Sequence, residues 1–217
     1  MWSKMNVEYV NHMGNDLDVV NAARVSFNKT SHSMNIKDDK LIQFLAKHNH
    51  FTPFTHVVFK LRVKVPIFVA RQWFKHTVGF SYNEVSRRYV SDPPELYKAA
   101  IWRGAPEEHI KQGSSSKVIY VTKETDKIME VMVDHYNTLI KQGIAPEMAR
   151  MVLPQGAMTE FIVTGSLAAW ARFYELRSDC HAQHEIRWCA QEVSTIIAPC
   201  CPSSWDALTN KKECNNG

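Results

Sequence analysis

From His56 to Val65 the apolar side chains of Phe59, Leu61, Val63 and Val65 alternate with Lys60, Arg62 and Lys64. A period of two sends the sets to opposite faces and predicts a half-buried strand. Pro66 suits the first position of a helix continuing through Phe74, with Phe68, Val69 and Trp73 apolar and Arg71 and Gln72 on another face. Upstream, Leu41, Ile42, Phe44 and Leu45 predict a short amphipathic helix over Asp39 to His48. Thr77 to Ser91 is polar and irregular, and Pro93-Pro94 blocks a helix there. From Lys123 to Gln142, Ile128, Val131, Met132, Tyr136, Leu139 and Ile140 recur at helical spacing, with Gly143 as the stop. Ala145 to Val152 predicts another helix, ended by Leu153-Pro154. Thr159 to Leu176 and Ser178 to Ile197 complete a helical C-terminal half. Strands first and helices later argue for α+β: a largely antiparallel sheet with helices packed to one side. No internal repeat is visible, and Gln112 to Ser116 reads as a loop. The 217 residues form a single expected domain, 1–217, with a flexible tail from about 206 to 217.

Composition narrows the classes. With 45% hydrophobic and 22% charged residues, 8 Gly and 9 Pro, the chain is neither disordered nor fibrous. The uncharged run Phe161 to Ala171, bounded by Glu160 and Arg172, falls short of the ~20 apolar residues of a membrane span. Met-Trp-Ser-Lys-Met-Asn at the start has no apolar stretch behind it, so the expectation is a cytoplasmic protein without a secretory signal. Cys180, Cys189, Cys200, Cys201 and Cys214 are odd in number and lack Cys-x2-Cys spacing, which argues against both disulfides and zinc. A net charge of +4 permits an anionic ligand but supplies no dense basic stripe for nucleic acid.

Chemistry concentrates between Arg71 and Tyr89. Arg71, Lys75, Arg87 and Arg88 stand there beside Gln72, Asn83, Glu84 and Ser86. Arginine forks hold phosphate, while amides and hydroxyls read the edge of a heterocycle, so the set suits a nucleotide. A solvated basic loop is the plain alternative. Arg150 lies in a helix, and Arg177 ends one, where the helix dipole alone favours a cation. No glycine-rich phosphate loop is present, and Ser86 lacks a nucleophile elbow. His181, His184 and Glu185 could share one helix face, although His-x-x-His-Glu matches no zinc-helix motif.

Gln72-Trp73, His76, Ser81-Tyr82-Asn83-Glu84-Val85-Ser86 and Arg88-Tyr89 resemble the signature of flavin-dependent thymidylate synthases. The resemblance extends to Met13-Gly14-Asn15-Asp16, Ala22-Ala23-Arg24-Val25-Ser26, His50-Phe51-Thr52-Pro53-Phe54, Ala149 to Pro154 and Leu176 to Ala182. It implies the thymidylate synthase-complementing protein fold and a cytoplasmic homotetramer with active sites shared between subunits. The implied reaction is reductive methylation of dUMP to dTMP, with methylenetetrahydrofolate as one-carbon donor and FAD reduced by NADPH as hydride carrier. By position, dUMP would be held by Gln72, Trp73, Phe74, Lys75, Glu84, Val85, Ser86, Arg87, Arg88, Arg150 and Arg177. Arg177 would also polarise the uracil ring as the catalytic cation. FAD would meet Thr52, Lys75, His76, Thr77, Glu84, Ser166, Leu167, Ala168 and Arg172, with His50 and His181 on its side. No metal is implied.

The chain also departs from that pattern. Lys75-His76-Thr77 stands where the family usually reads Arg-His-Arg, and one extra residue precedes Ser86. Ser166 replaces a common Asn, Ala168 a basic residue, and Arg172 takes a position that is often amide or basic. These changes predict weaker or differently anchored flavin phosphates, with activity retained through Gln72, Arg88, Arg150 and Arg177. Three other readings stay open: a catalytically impaired uridine-nucleotide-binding relative, a basic nucleic-acid module, and a zinc hydrolase built on His181, His184 and Glu185.

Overall fold

The computed structural model describes residues 2–106, 108 and 113–210. In chain order, β1 (Trp2–Ser3), β2 (Asn6–Met13), α1 (Asp16–Arg24) and α2 (Ile36–Lys47) precede β3 (Val58–Pro66), α3 (Ile67–Trp73) and β4 (Phe80–Glu84). Short strands β5 (Leu96–Tyr97), β6 (Trp102–Arg103) and β7 (Val118–Ile119) lead to α4 (Glu124–Lys141) and α5 (Pro146–Ala149). β8 (Met158–Ser166), α6 (Leu167–Arg177), α7 (His184–Ile197) and α8 (Pro202–Thr209) follow. The main sheet has the order β2-β3-β8-β4.

The architecture is α+β, as expected, and the alternating reading of β3 holds: Phe59, Leu61, Val63 and Val65 are all fully buried. Ile67 N–H donates to the Ala157 carbonyl at 2.9 Å, and Leu167 N–H to the Val57 carbonyl at 2.8 Å, so β3 and β8 run antiparallel. These two bonds show a correspondence that no repeat in the sequence marks. Each strand turns into its helix without a loop, at positions 100 residues apart, and the first amide of each helix is bonded to the residue just before the other strand. The repeat lies in backbone geometry; of the matched positions 58–73 and 158–173 only Val63 and Val163 share a residue type.

Several expected boundaries shift. Thr159 to Leu176 is not one helix: Met158–Ser166 is strand, and α6 starts at Leu167. Thr159, Ile162, Val163 and Thr164 are β-branched, and Gly165-Ser166 marks the change of period. The C-terminal half therefore contributes a strand to the middle of the sheet. Phe80–Glu84, expected to be irregular, is β4. Ser178 to Gln183 forms a turn, and α7 begins only at His184. α8 continues to Thr209, inside the segment expected to be flexible, and 211–217 lie outside the described residues.

The chain divides into two compact units. Met1–Asn6, Val63–Lys75 and Asn83–Phe161 make the first. Leu96, Val133 and Ala157 form a buried cluster there, with Trp2, Ile67, Met129 and Leu153 packed on it. Tyr136, a turn beyond Val133 on α4, is fully buried and donates its hydroxyl to the Ser91 carbonyl at 3.2 Å. Ile128 and Val131, part of the expected apolar stripe, face outward instead at 60% and 63% exposure. Trp73, fully buried, meets Phe161 edge-on at 5.5 Å between ring centroids.

Val7–Arg62, His76–Tyr82 and Ile162–Gly217 make the second unit, in which α6 packs against α7 and α8. Trp170 is fully buried, donates to the Phe59 carbonyl at 3.4 Å and meets the Phe80 ring edge-on at 4.8 Å. Asn15 and Asn35 open α1 and α2 with reciprocal capping boxes. Buried Asp16 accepts from the amides of Ser203 and Ser204, both at 2.9 Å, where the positive end of the α8 dipole favours a carboxylate. Arg24 is ion-paired to buried Asp38, which also accepts from the Ser31 hydroxyl at 3.2 Å. The Ala22 to Ser26 block thus includes a structural anchor.

Candidate active site

Within the first unit, α3 ends on Gln72 and Trp73, and Phe74 and Lys75 follow. Gln72 and Phe74 are half-buried and Lys75 is exposed. The Trp73 side chain belongs to the core, so only its backbone is open to a ligand. Beyond β4 the chain makes one turn: the Tyr89 and Val90 amides donate to the Ser86 carbonyl at 3.0 and 3.1 Å, and the Arg88 amide to the Ser86 hydroxyl at 3.3 Å. Glu84 ends β4, and the chain beyond it carries Val85, Arg87 and Arg88 along with Ser86. Glu84 accepts from the Thr159 hydroxyl at 2.6 Å, and the Val85 amide donates to the Glu160 carbonyl at 2.9 Å. Arg87 reaches the Asp92 carbonyl at 2.5 Å, while the Arg88 guanidinium lies 5.2 Å from the centre of the Tyr89 ring. Arg150 is exposed, and its Nε donates to the Glu147 carbonyl at 3.2 Å.

Within the second unit, two expected site residues far apart in sequence meet directly. Arg177, in the last turn of α6, donates from Nε to His76 Nε2 at 2.8 Å. Burial, then the positive charges of Arg177 and Arg172, hold the His76 pKa down to about 4. The ring is therefore neutral near pH 7 and carries its proton on Nδ1. Phe173 meets it edge-on at 4.9 Å, and Tyr82 donates to the His76 carbonyl at 2.7 Å. Burial raises the Tyr82 phenol and lowers the Arg177 guanidinium relative to their ordinary pKa values. Tyr82, part of the signature but given no role there, and Phe173, outside every motif, are supports with a weak sequence signal, since aromatic residues are common in any core.

The extra residue before Ser86 does not bulge β4. The Ser166 amide donates to the Gly79 carbonyl, and the Val85 amide to the Glu160 carbonyl, bonds six residues apart on each strand, so the register is unbroken. In the turn Thr77 to Phe80 that leads into the strand, Gly79 adopts φ +78°. A Cβ at Gly79 would stand 2.9 Å from the Ala169 Cβ and 3.1 Å from the Ser166 hydroxyl. Only glycine fits there.

Beside this turn lies a cleft of about 410 Å³, walled by Phe51, Val78, Ala168 and Ala169, with Ser166, Arg172 and Glu175 supplying polar atoms. Mainly apolar walls with a hydroxyl and a cation fit a flat heteroaromatic group such as a flavin. Ser166 also caps α6, accepting from the Ala169 amide at 3.2 Å. Leu167 is fully buried, so its side chain is core. Thr52, Thr77 and His50 are exposed in this unit. His181 is exposed and hydrogen-bonded through Nδ1 to Asp179 at 2.9 Å.

The His181, His184 and Glu185 face does not form. His181 precedes α7, and buried Glu185 accepts from the Gln183 amide at 2.9 Å. Asp179, Cys180 and His181 instead bring one donor atom each within 4.8 Å of one another, all exposed. No helix among the described residues is long and apolar enough to cross a membrane.

One strand–helix corner ends in amide and basic donors, and the other carries half-buried Arg177 at its far end and Ser166, Ala168 and Arg172 along an apolar cleft. Residues 8–203 match the family described as thymidylate synthase complementing protein, and the chain belongs to that family of flavin-dependent thymidylate synthases. It is 39% identical over 206 residues to the flavin-dependent thymidylate synthase of Thermotoga neapolitana, covering 93% of this chain and 89% of the relative. It is 38% identical over 204 residues to that of Thermus thermophilus, covering 93% and 74%. A crystal structure of the UMP/dUMP methylase PolB from Streptomyces cacaoi, bound with 5-Br dUMP, superposes with a TM-score of 0.83, at 28% identity and 96% coverage of both chains.

Proposed function

We propose that this enzyme methylates dUMP to dTMP, with methylenetetrahydrofolate as one-carbon donor and NADPH as reductant. The observation that carries the reading is similarity along nearly the whole chain to flavin-dependent thymidylate synthases, joined to likeness to a methylase holding a brominated dUMP. Bound FAD supplies hydride carriage between NADPH and the one-carbon unit. In this reading the protein's own residues bind and polarise. Arg87, Arg88 and Arg150 hold the phosphate, and Gln72, Phe74, Lys75, Glu84, Val85 and Ser86 hold the nucleoside, with the Trp73 backbone. Arg177 faces the uracil ring and stabilises the negative charge that develops when N3 ionises, a fixed cation acting at the reacting atoms. Ser166, Ala168, Arg172 and the Leu167 backbone hold the flavin with Thr52, Lys75, His76, Thr77 and Glu84, and His50 and His181 lie on its side.

The assembly in this reading is a cytoplasmic homotetramer with active sites shared between subunits. Its support is the amount of apolar surface left outward, including Phe27, Ile36, Tyr89 and Met151, each more than 70% exposed. The test is NADPH oxidation by purified protein with excess FAD, with and without dUMP, followed by assay of dTMP after adding methylenetetrahydrofolate. Oxidation that rises with dUMP, and dTMP as product, supports the reading. Tight dUMP binding without turnover overturns it in favour of a uridine-nucleotide-binding relative, the reading favoured by Lys75 and Thr77 in place of arginines. Running UMP in parallel decides between the two nucleotides named for the PolB methylase.

A further inference from the structure

An arginine that must act as a fixed positive charge poses a problem of support. Its side chain has many rotamers, so something must hold the guanidinium in one plane. A carboxylate would hold it most strongly, but an anion at hydrogen-bond distance also offsets the charge the reaction needs. One contact of Arg177 is to an imidazole, with Nε 2.8 Å from His76 Nε2.

The geometry points to His76 as a positioning residue for Arg177, a neutral acceptor that orients the guanidinium without adding a negative charge beside it. This rests on the reading of Arg177 given above and gives His76 a second role besides the flavin side. Three contacts hold the histidine itself. The Tyr82 hydroxyl bonds its backbone carbonyl at 2.7 Å, the edge of Phe173 stands 4.9 Å away, and its lone pair points at Arg177. The charged groups acting on the ring are Arg177 and Arg172, both from α6, and both oppose its protonation. A protonated His76 would set cation against cation and lose the acceptor. The ring stays neutral because the groups it serves keep it so.

The test compares His76→Gln, His76→Leu and His76→Glu, alone and with Arg177→Lys. For dUMP-dependent NADPH oxidation at saturating FAD, His76→Leu is expected to lower kcat by about 10- to 100-fold with KM for dUMP little changed, the signature of lost orientation. His76→Gln, a neutral acceptor, should recover most of that loss. His76→Glu, an equally good acceptor with a charge, should not. In the Arg177→Lys background, where no guanidinium remains to orient, His76→Leu should add no further loss. Unchanged kcat in His76→Leu, with weaker flavin binding by fluorescence titration, overturns the proposal and leaves His76 as a flavin contact only. Rescue by Glu as full as by Gln overturns the charge argument. Nitrogen NMR of the His76 ring provides a readout without turnover. The Nδ1–H tautomer, with titration moving to higher pH in Arg177→Ala, supports the contact, and the Nε2–H tautomer overturns it. Wild-type protein without dUMP-dependent turnover would overturn the functional reading, while the contact would stand or fall on the tautomer.

Discussion

The two strand–helix corners make the same bend by different chemistry. Pro66 sits at φ −67° and ψ 153°, and Ser166 at φ −70° and ψ 156°. At the first corner the proline ring presets φ, and the Ile67 and Phe68 amides find the Ala157 and Gln155 carbonyls at 2.9 and 3.3 Å. At the second, the serine hydroxyl accepts from the Ala169 amide, while the Ser166 amide donates to the Gly79 carbonyl. What differs next is length. α3 stops after 7 residues at Trp73, and α6 runs for 11 to reach Arg177. At 1.5 Å per residue, the four extra residues are about 6 Å of helix. One backbone corner thus offers amide and basic side chains after two turns, and a desolvated arginine after three.

Three experiments break or sharpen that comparison. The largest effect concerns the matched core rings Trp73 and Phe173, both fully buried. Either replaced by Ala should lose about 3–5 kcal/mol of stability in urea unfolding. Only Phe173→Ala should also move the titration of His76, since that ring touches the imidazole. Equal effects on His76 from both would dissolve the distinction between the corners.

Exchanging the corner residues comes next. Ser166→Pro removes both the hydroxyl cap and the amide bonded to Gly79, and should lose about 2–3 kcal/mol. Pro66→Ser removes no hydrogen bond and should lose less than about 1 kcal/mol, through the freer unfolded chain. A symmetric result in paired denaturation curves would mean that the two corners are interchangeable.

The smallest effect, taken per pH unit, separates position 76 from its counterpart 100 residues on, Leu176, which does not titrate. The folded His76 pKa of about 4 lies below the ordinary 6.5, so between those values the unfolded chain binds the proton and the folded one does not. Stability from this group is complete above pH 6.5 and falls as the pH drops towards 4. Its slope is at most about 1.4 kcal/mol per pH unit, and His76→Gln should remove it. Leu176→Gln should leave the slope intact.

Much of this was legible before the structure. The alternation from Phe59 to Val65 marked β3, and the Pro66 break marked its corner, because both signals are local. The second corner was hidden because Phe161 to Ala171 is uncharged throughout: a strand buried on one face merges into a helix whose first turn is largely buried, and only Gly165-Ser166 punctuates the change. The helix α4 was legible from its spacing, but not the face that it buries. Ile128 and Val131 have the right spacing, but periodicity does not say which stripe meets the core. In the site, resemblance named both His76 and Arg177 yet assigned them to different ligands. Their contact joins residues 101 apart, and no local spacing encodes it.

The anchoring of α8 on Asp16 has a kinetic consequence. The two amides that satisfy this buried carboxylate lie 187 and 188 residues further along the chain. At a synthesis rate of roughly 5–20 residues per second, Asp16 waits on the order of ten seconds or more before its partners exist. The second unit therefore closes late, through contacts of high sequence separation, and its folding is slow compared with that of a bundle built from neighbouring helices. Until then α1 exposes an unpartnered carboxylate beside Val19 and Val20, apolar residues that become fully buried, and the nascent chain offers that surface to chaperones.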